Sequence, residues 1–155
     1  MPLLPILERV YSSTIQRTDM TEHLSSNSME VRKFLVEKCR TICDNVSDTT
    51  RPSATERMDS LIVVSLKNKS PHSSISDKAW AQFHVYVRDG ANGTFMDSKM
   101  QKMIDNIKAL NLQSELFLLN GGEPYETDPK PDGLGFHAVS IQYSITLIRD
   151  KVNNN

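Results

Sequence analysis

The side chains with the greatest capacity for chemistry crowd into one loop. Between Asn120 and Gly133, Glu123, Glu126, Asp128 and Asp132 outnumber Lys130. Hard carboxylate oxygens of this kind can hold a divalent cation. Their spacing does not match an EF-hand loop, whose ligand ladder ends in a bidentate Glu at the twelfth position. Glu126, Asp128, Lys130 and Asp132 also resemble the acidic and lysine elements of a nuclease. That chemistry needs carboxylates presented by adjacent strands around a metal, and here they share a single loop. Pro124, Pro129 and Pro131 make the segment semi-rigid and extended, which suits a contact surface. We therefore expect no metal, no cofactor and no catalytic group here.

The four histidines do not converge along the chain. His84 falls on the polar side of an alternating segment, His137 opens another, and His23 and His72 lie in irregular stretches. If His84 and His137 met across paired strands, an ordinary hydrogen-bonded pair would be the simplest result. No HExxH, GxSxG or phosphate-cradling glycine loop occurs, and Gly121-Gly122 lacks the lysine and helix of a P-loop. Cys39 and Cys43 stand four apart on an expected helix, a poor geometry for a disulfide, and read as small apolar groups in a reducing compartment. Trp80 and Tyr86 share the mostly polar side of their segment with His84. Uncovered aromatics there mark a contact surface; a helix or the N-terminal arm is the alternative cover. Lys67, Lys69, His72 and Arg88 give modest positive character without interleaved stacking aromatics, so sequence-specific nucleic-acid reading is not expected. Weak contact with a DNA backbone needs only such a few charges.

These groups must be positioned by two long alternating segments. Ala79, Ala81, Phe83, Val85 and Val87 alternate with Gln82, His84 and Arg88, and Val139, Ile141, Tyr143, Ile145 and Leu147 with Ser140, Gln142, Ser144 and Thr146. A period of two predicts half-buried antiparallel strands. The second, Phe136 to Ile148, would extend roughly 43 Å at a rise of ~3.3 Å per residue. A strand of that length implies company in a neighbouring subunit.

Ahead of them, residues 1–26 form an expected arm: an apolar cluster including Leu4, Leu7 and Tyr11, limited by Pro2 and Pro5, then a polar stretch. The spacing of Asn27 and Glu30 suits a capping box, and Val31, Phe34, Leu35, Cys39 and Ile42 recur at helical intervals, predicting a helix from about Ser28 to Asn45. Leu61 to Leu66 reads as a short central strand, and Lys67 to Asp77 as a polar hairpin connection. After the turn at 88–93, Thr94 with Asp97 opens a second helix with Met96, Met100, Met103, Ile104, Ile107 and Leu110 as its stripe, and Leu112 to Leu119 is a third strand in chain order. The expected fold is α+β: a mostly antiparallel, four-stranded sheet with two helices on one face, spanning 27–150, and a disordered tail at 151–155.

Composition narrows the partners. At 155 residues with a net charge of −1, the chain suits one core and is not a generally basic, nucleic-acid-coating protein. No apolar run approaches the ~20 residues that span a bilayer, and the start lacks the basic region of a secretory signal.

The initial helix, the apolar Leu61-Ile62-Val63-Val64, the strand Trp80 to Arg88 with a helix at its heels, and the closing strand Val139 to Ile145 together resemble the tail-completion, or tail-terminator, proteins of tailed bacteriophages. The resemblance covers roughly Asn27 to Arg149 and rests on element order and strand texture. The arm and the proline-rich loop depart from it and would suit a neck or tail ring of a short-tailed, crAss-like phage. What it implies is structural work and no reaction. Copies form a sixfold or twelvefold ring around the DNA channel, connecting portal-side and tail components, in a virion assembled in the host cytoplasm and without membrane contact. Lateral contacts are then expected at Trp80, His84, Tyr86, Arg88, Met96, Met100 and Tyr143. Contacts to adjoining rings are expected at Leu4, Leu7, Tyr11, Glu123, Tyr125, Glu126 and Asp128. A small metal- or nucleotide-binding enzyme on the same kind of sheet is the alternative.

Overall fold

A computed structural model describes residues 28–53 and 55–148. The predicted positions Leu4, Leu7 and Tyr11, the capping residue Asn27 and the 151–155 tail lie outside the described residues. The fold is α+β. Helix α1 occupies 28–39, followed by strands β1 (Val46–Asp48), β2 (Ser60–Pro71) and β3 (Ser76–Arg88). A 3-10 turn at Ala91–Gly93 precedes helix α2 (Asp97–Lys108). Strands β4 (Phe117–Leu119), β5 (Tyr125–Glu126), β6 (Lys130–Pro131) and β7 (Phe136–Ile148) complete the order.

All seven strands join one sheet in the order β1-β2-β3-β7-β4, with β5 and β6 also pairing β7. The expected four-stranded sheet is thus corrected to seven strands, and one pair, β1 with β2, is parallel. Pairing across the sheet overrides the turn-like texture of Val46-Ser47-Asp48. The Ile62 amide donates to the Asn45 carbonyl and the Asn45 side-chain amide to the Ser60 carbonyl, pinning this segment to β2.

Period-two alternation places the core. Phe83, Val85, Ile141 and Ile145 point to the face that receives Val31, Leu35 and Cys39 of α1 and Met100, Ile104 and Ile107 of α2, in one buried cluster. Both helices therefore lie on one face. Phe83 is fully buried and meets the Tyr143 ring edge-on at 5.8 Å.

Several boundaries differ from the expected ones for local reasons. Helix α1 gives way at 40 instead of Asn45, where the Thr41 hydroxyl donates to the Lys38 carbonyl and the Ile42 amide to Cys39. Thr94 does not open α2, because its hydroxyl donates to the Ala91 carbonyl at the end of the 3-10 turn. The expected strand from Leu112 shrinks to Phe117–Leu119. Asn111 and Ser114 accept from the Gln113 and Leu116 amides and hold a local turn instead. Strand β2 continues through Lys67 to Pro71 past a bulge, with Asn68 at φ +55°, so the connection is only 72–75.

The long strands do not depend on a neighbour for pairing. β3 is bonded to β2 on one side and β7 on the other, and β7 is bonded to β3 and to β4, β5 and β6. The 120–133 loop, expected to be an extended contact surface, runs along β7 as two short ladders and covers its edge. The edge of β2 beyond Val64 has no strand partner among the described residues. It carries Lys67, Lys69, Pro71 and a bulge, features that discourage pairing with another chain.

Candidate contact surfaces and the polar sheet face

Strand parity sorts the predicted site residues onto two faces. Residues paired with Val139, Ile141 and Ile145 face the helices, and their neighbours face away. His84 pairs with Ser140 on the face away from the helices, whereas His137 pairs with Val87 on the helix side. The two histidines therefore never meet. His137 instead bonds Asp89 at 2.5 Å and stacks on Phe95 at 4.8 Å.

On the face away from the helices, Gln82 donates from Nε2 to Ser140 Oγ at 2.7 Å, and Ser140 Oγ lies 3.3 Å from His84 Nδ1. Ser140 Oγ thus bridges the Gln82 amide, from which it accepts, and the His84 ring. Burial, followed by the nearby Lys67 charge, lowers the His84 pKa from its ordinary value of 6.5. A depressed histidine pKa adds stability that is complete above the unfolded value and is lost as pH falls below it. Denaturant melts at pH 7.5 and pH 5 (roughly a unit or more either side of the ordinary value) should show this loss in the native chain and a smaller one in His84→Gln. An identical pH response in both would refute the assignment.

The expected lateral contacts divide accordingly. Trp80 is 38% exposed and Met96 42%, so both are available to a partner. Met100 is buried on the sheet-facing side of α2 and Tyr143 packs on Phe83, because helical and strand periods turn them inward. Tyr86 lies half-buried under the Arg51 guanidinium, 4.7 Å from its ring centre. Arg88 is turned in toward its own chain, donating to the Thr55, Glu56 and Met58 carbonyls and covering the Phe136 ring. Met100 is thus enclosed in the core, while Tyr86, Arg88 and Tyr143 are half-buried and engaged within their own chain.

Of the loop residues, Glu123, Tyr125, Glu126 and Asp128 are exposed. Glu126 is tied to Lys108 of α2 at 2.9 Å, which raises the lysine pKa. Asp132, the remaining acid, bonds the Arg51 side chain and accepts from the Leu134 and Phe136 amides. Burial works to raise its pKa, but these donors outweigh it and hold the carboxyl below its usual range. Sequence reasoning missed this anchor because Arg51 stands 81 positions away. Among the described residues no cluster of three or more His, Cys, Asp or Glu side chains is arranged to hold a metal. The Cys39 thiol is pushed up to about 12 by burial, with Cys43 adding to the shift, so it carries little nucleophilic thiolate.

Two surfaces remain. At the β4 end, Leu118 is 58% and Leu119 43% exposed beside a groove of about 630 Å³ lined by Leu112 through Glu115 and by β4. Along β5, Tyr125 is 61% exposed. Nothing in the residue pattern singled out Leu118 or Leu119, which read there as ordinary strand apolars.

No protein-family model matches the chain, and no curated protein matches it. Among solved structures it is similar to one whose name says nothing of function, at 15% identity and a TM-score of 0.50, covering 83% of this chain and 96% of that one. At that identity the likeness bears on the fold alone. No helix among the described residues is long and apolar enough to cross a membrane.

Proposed function

We propose that this protein is a structural subunit that assembles with copies of itself into a ring, at the neck or tail of a phage virion, around the channel through which DNA passes. The finer fold reading behind the resemblance is a core of three long antiparallel strands, β2, β3 and β7, to which β4 and the other short strands are appended. The observation that carries the reading is the exposed Leu118–Leu119 pair and its groove at one end of the sheet, opposite the differently constructed β2 edge. Two unlike ends on one subunit are what a heterologous, ring-closing contact requires. Exposed apolar side chains beside a concave surface favour protein contact over solvent. Tyr125, Glu123 and Asp128 are available for contacts along the channel axis, to neighbouring neck, portal or tail proteins.

Electron microscopy of the purified full chain tests the proposal. Closed rings of six or twelve copies are expected at high concentration, and Leu118→Lys with Leu119→Lys should disperse them into monomers that melt at an unchanged temperature. A chain that remains monomeric up to its solubility limit, with or without the substitutions, refutes self-assembly through this end.

A further inference from the structure

We propose that the face of the sheet turned away from the helices binds single-stranded nucleic acid. The chain as a whole carries 18 Lys and Arg against 19 Asp and Glu, but the sheet segregates them. Asp48, Asp77 and Glu126 pair with Val64, Leu147 and Ile141, and so belong to the helix side. Strand positions on the opposite face hold no carboxylate and include Lys67, Lys78 and Lys130, all exposed. Among the described residues none of the three enters an ion pair. Their charge is therefore available to a polyanion.

Two exposed aromatics stand on the same face. Trp80 pairs with Lys67 on one side and Ser144 on the other, and Tyr125 pairs with Gln142, which in turn pairs with Gln82. Two strand spacings across and two residues along separate the rings by about 12 Å. That leaves room for roughly two nucleotide steps, with bases stacked on the rings and phosphates directed to the lysines. The row between and beside the rings is neutral and hydrogen-bonding. Gln82 Oε1 and Ser65 Oγ are buried there, their residues only 4% and 7% exposed, without a hydrogen-bond partner among the described residues. Exposed rings distinguish this surface from one built to follow a duplex backbone by charge alone.

Trp80 is the chain's single tryptophan, so its fluorescence reports the site directly. Titration of the full chain with an oligothymidylate should quench it, with a log–log salt slope of about −2 from three lysines. Lys67→Gln should lower that slope by about 0.7, and Tyr125→Ala should weaken binding on the order of tenfold. Both positions are exposed, and a thermal melt verifies that each variant is folded. No quenching at low salt overturns the proposal. So does equal quenching by duplex DNA or by poly-glutamate, which would assign the face to polyanions in general or to an acidic protein. The test does not depend on whether copies assemble.

Discussion

Replacing Asp132 with alanine lowers the unfolding free energy by about 3 kcal/mol, the cost of stranding a mostly buried charge partner. For a domain of this size that is a fall in melting temperature of roughly 10 °C. The reason lies in what one carboxylate joins. It bonds Arg51, from the segment before β2, and accepts two amides that shape the turn into β7, where Gly133 and Gly135 take φ values of +78° and +89°. Arg51 in turn covers Tyr86 and Phe136. Asp132→Asn retains an acceptor for the amides and should lose roughly half as much. Because the folded carboxyl has a depressed pKa, its contribution is present above the ordinary value of 3.8 and disappears as pH falls through the folded value. Urea melts at pH 7 and in strong acid therefore converge for native protein and Asp132→Ala. A constant difference across that range would show that the carboxylate charge is not the cause.

Truncating Phe83 to alanine costs about 3–5 kcal/mol, whereas the same change at Trp80, three residues earlier on the same strand, costs less than about 1 kcal/mol. Phe83 is fully enclosed by both helices' stripe and the Tyr143 ring, and its loss leaves a cavity that packed neighbours cannot refill. Trp80 faces the helix-free side and is partly in water. Denaturant titration of the two variants measures the contrast. Equal losses would mean that the helix-free face is as tightly packed as the core.

Much of this architecture could be read from residue order. Alternation at 79–88 and 136–148 located β3 and β7 and identified their buried sides, because side-chain direction in a strand depends only on parity. The three- and four-residue spacing of Val31, Leu35 and Cys39, and of Met100, Ile104 and Ile107, likewise located both helices. Where local and distant bonds competed, the reading failed. Asn111 and Ser114 diverted a β-like run into a turn, and pairing with β2 made a strand of Val46–Asp48.

The site residues divide along the same line. Patterning alone could state that Trp80 and His84 share a side, that Met100 belongs to a core stripe, and that the 120–133 loop is acidic and stiff. Which strands lie beside one another was beyond it, since that depends on contacts between residues scores of positions apart. Pairing put His84 and His137 on opposite faces, laid the acidic loop against β7, and gathered Lys67, Lys78 and Lys130 onto a face whose strand positions hold no carboxylate. Period fixes a side chain's direction within its own strand, but a surface is made by several strands in register, and register is a property of the folded chain.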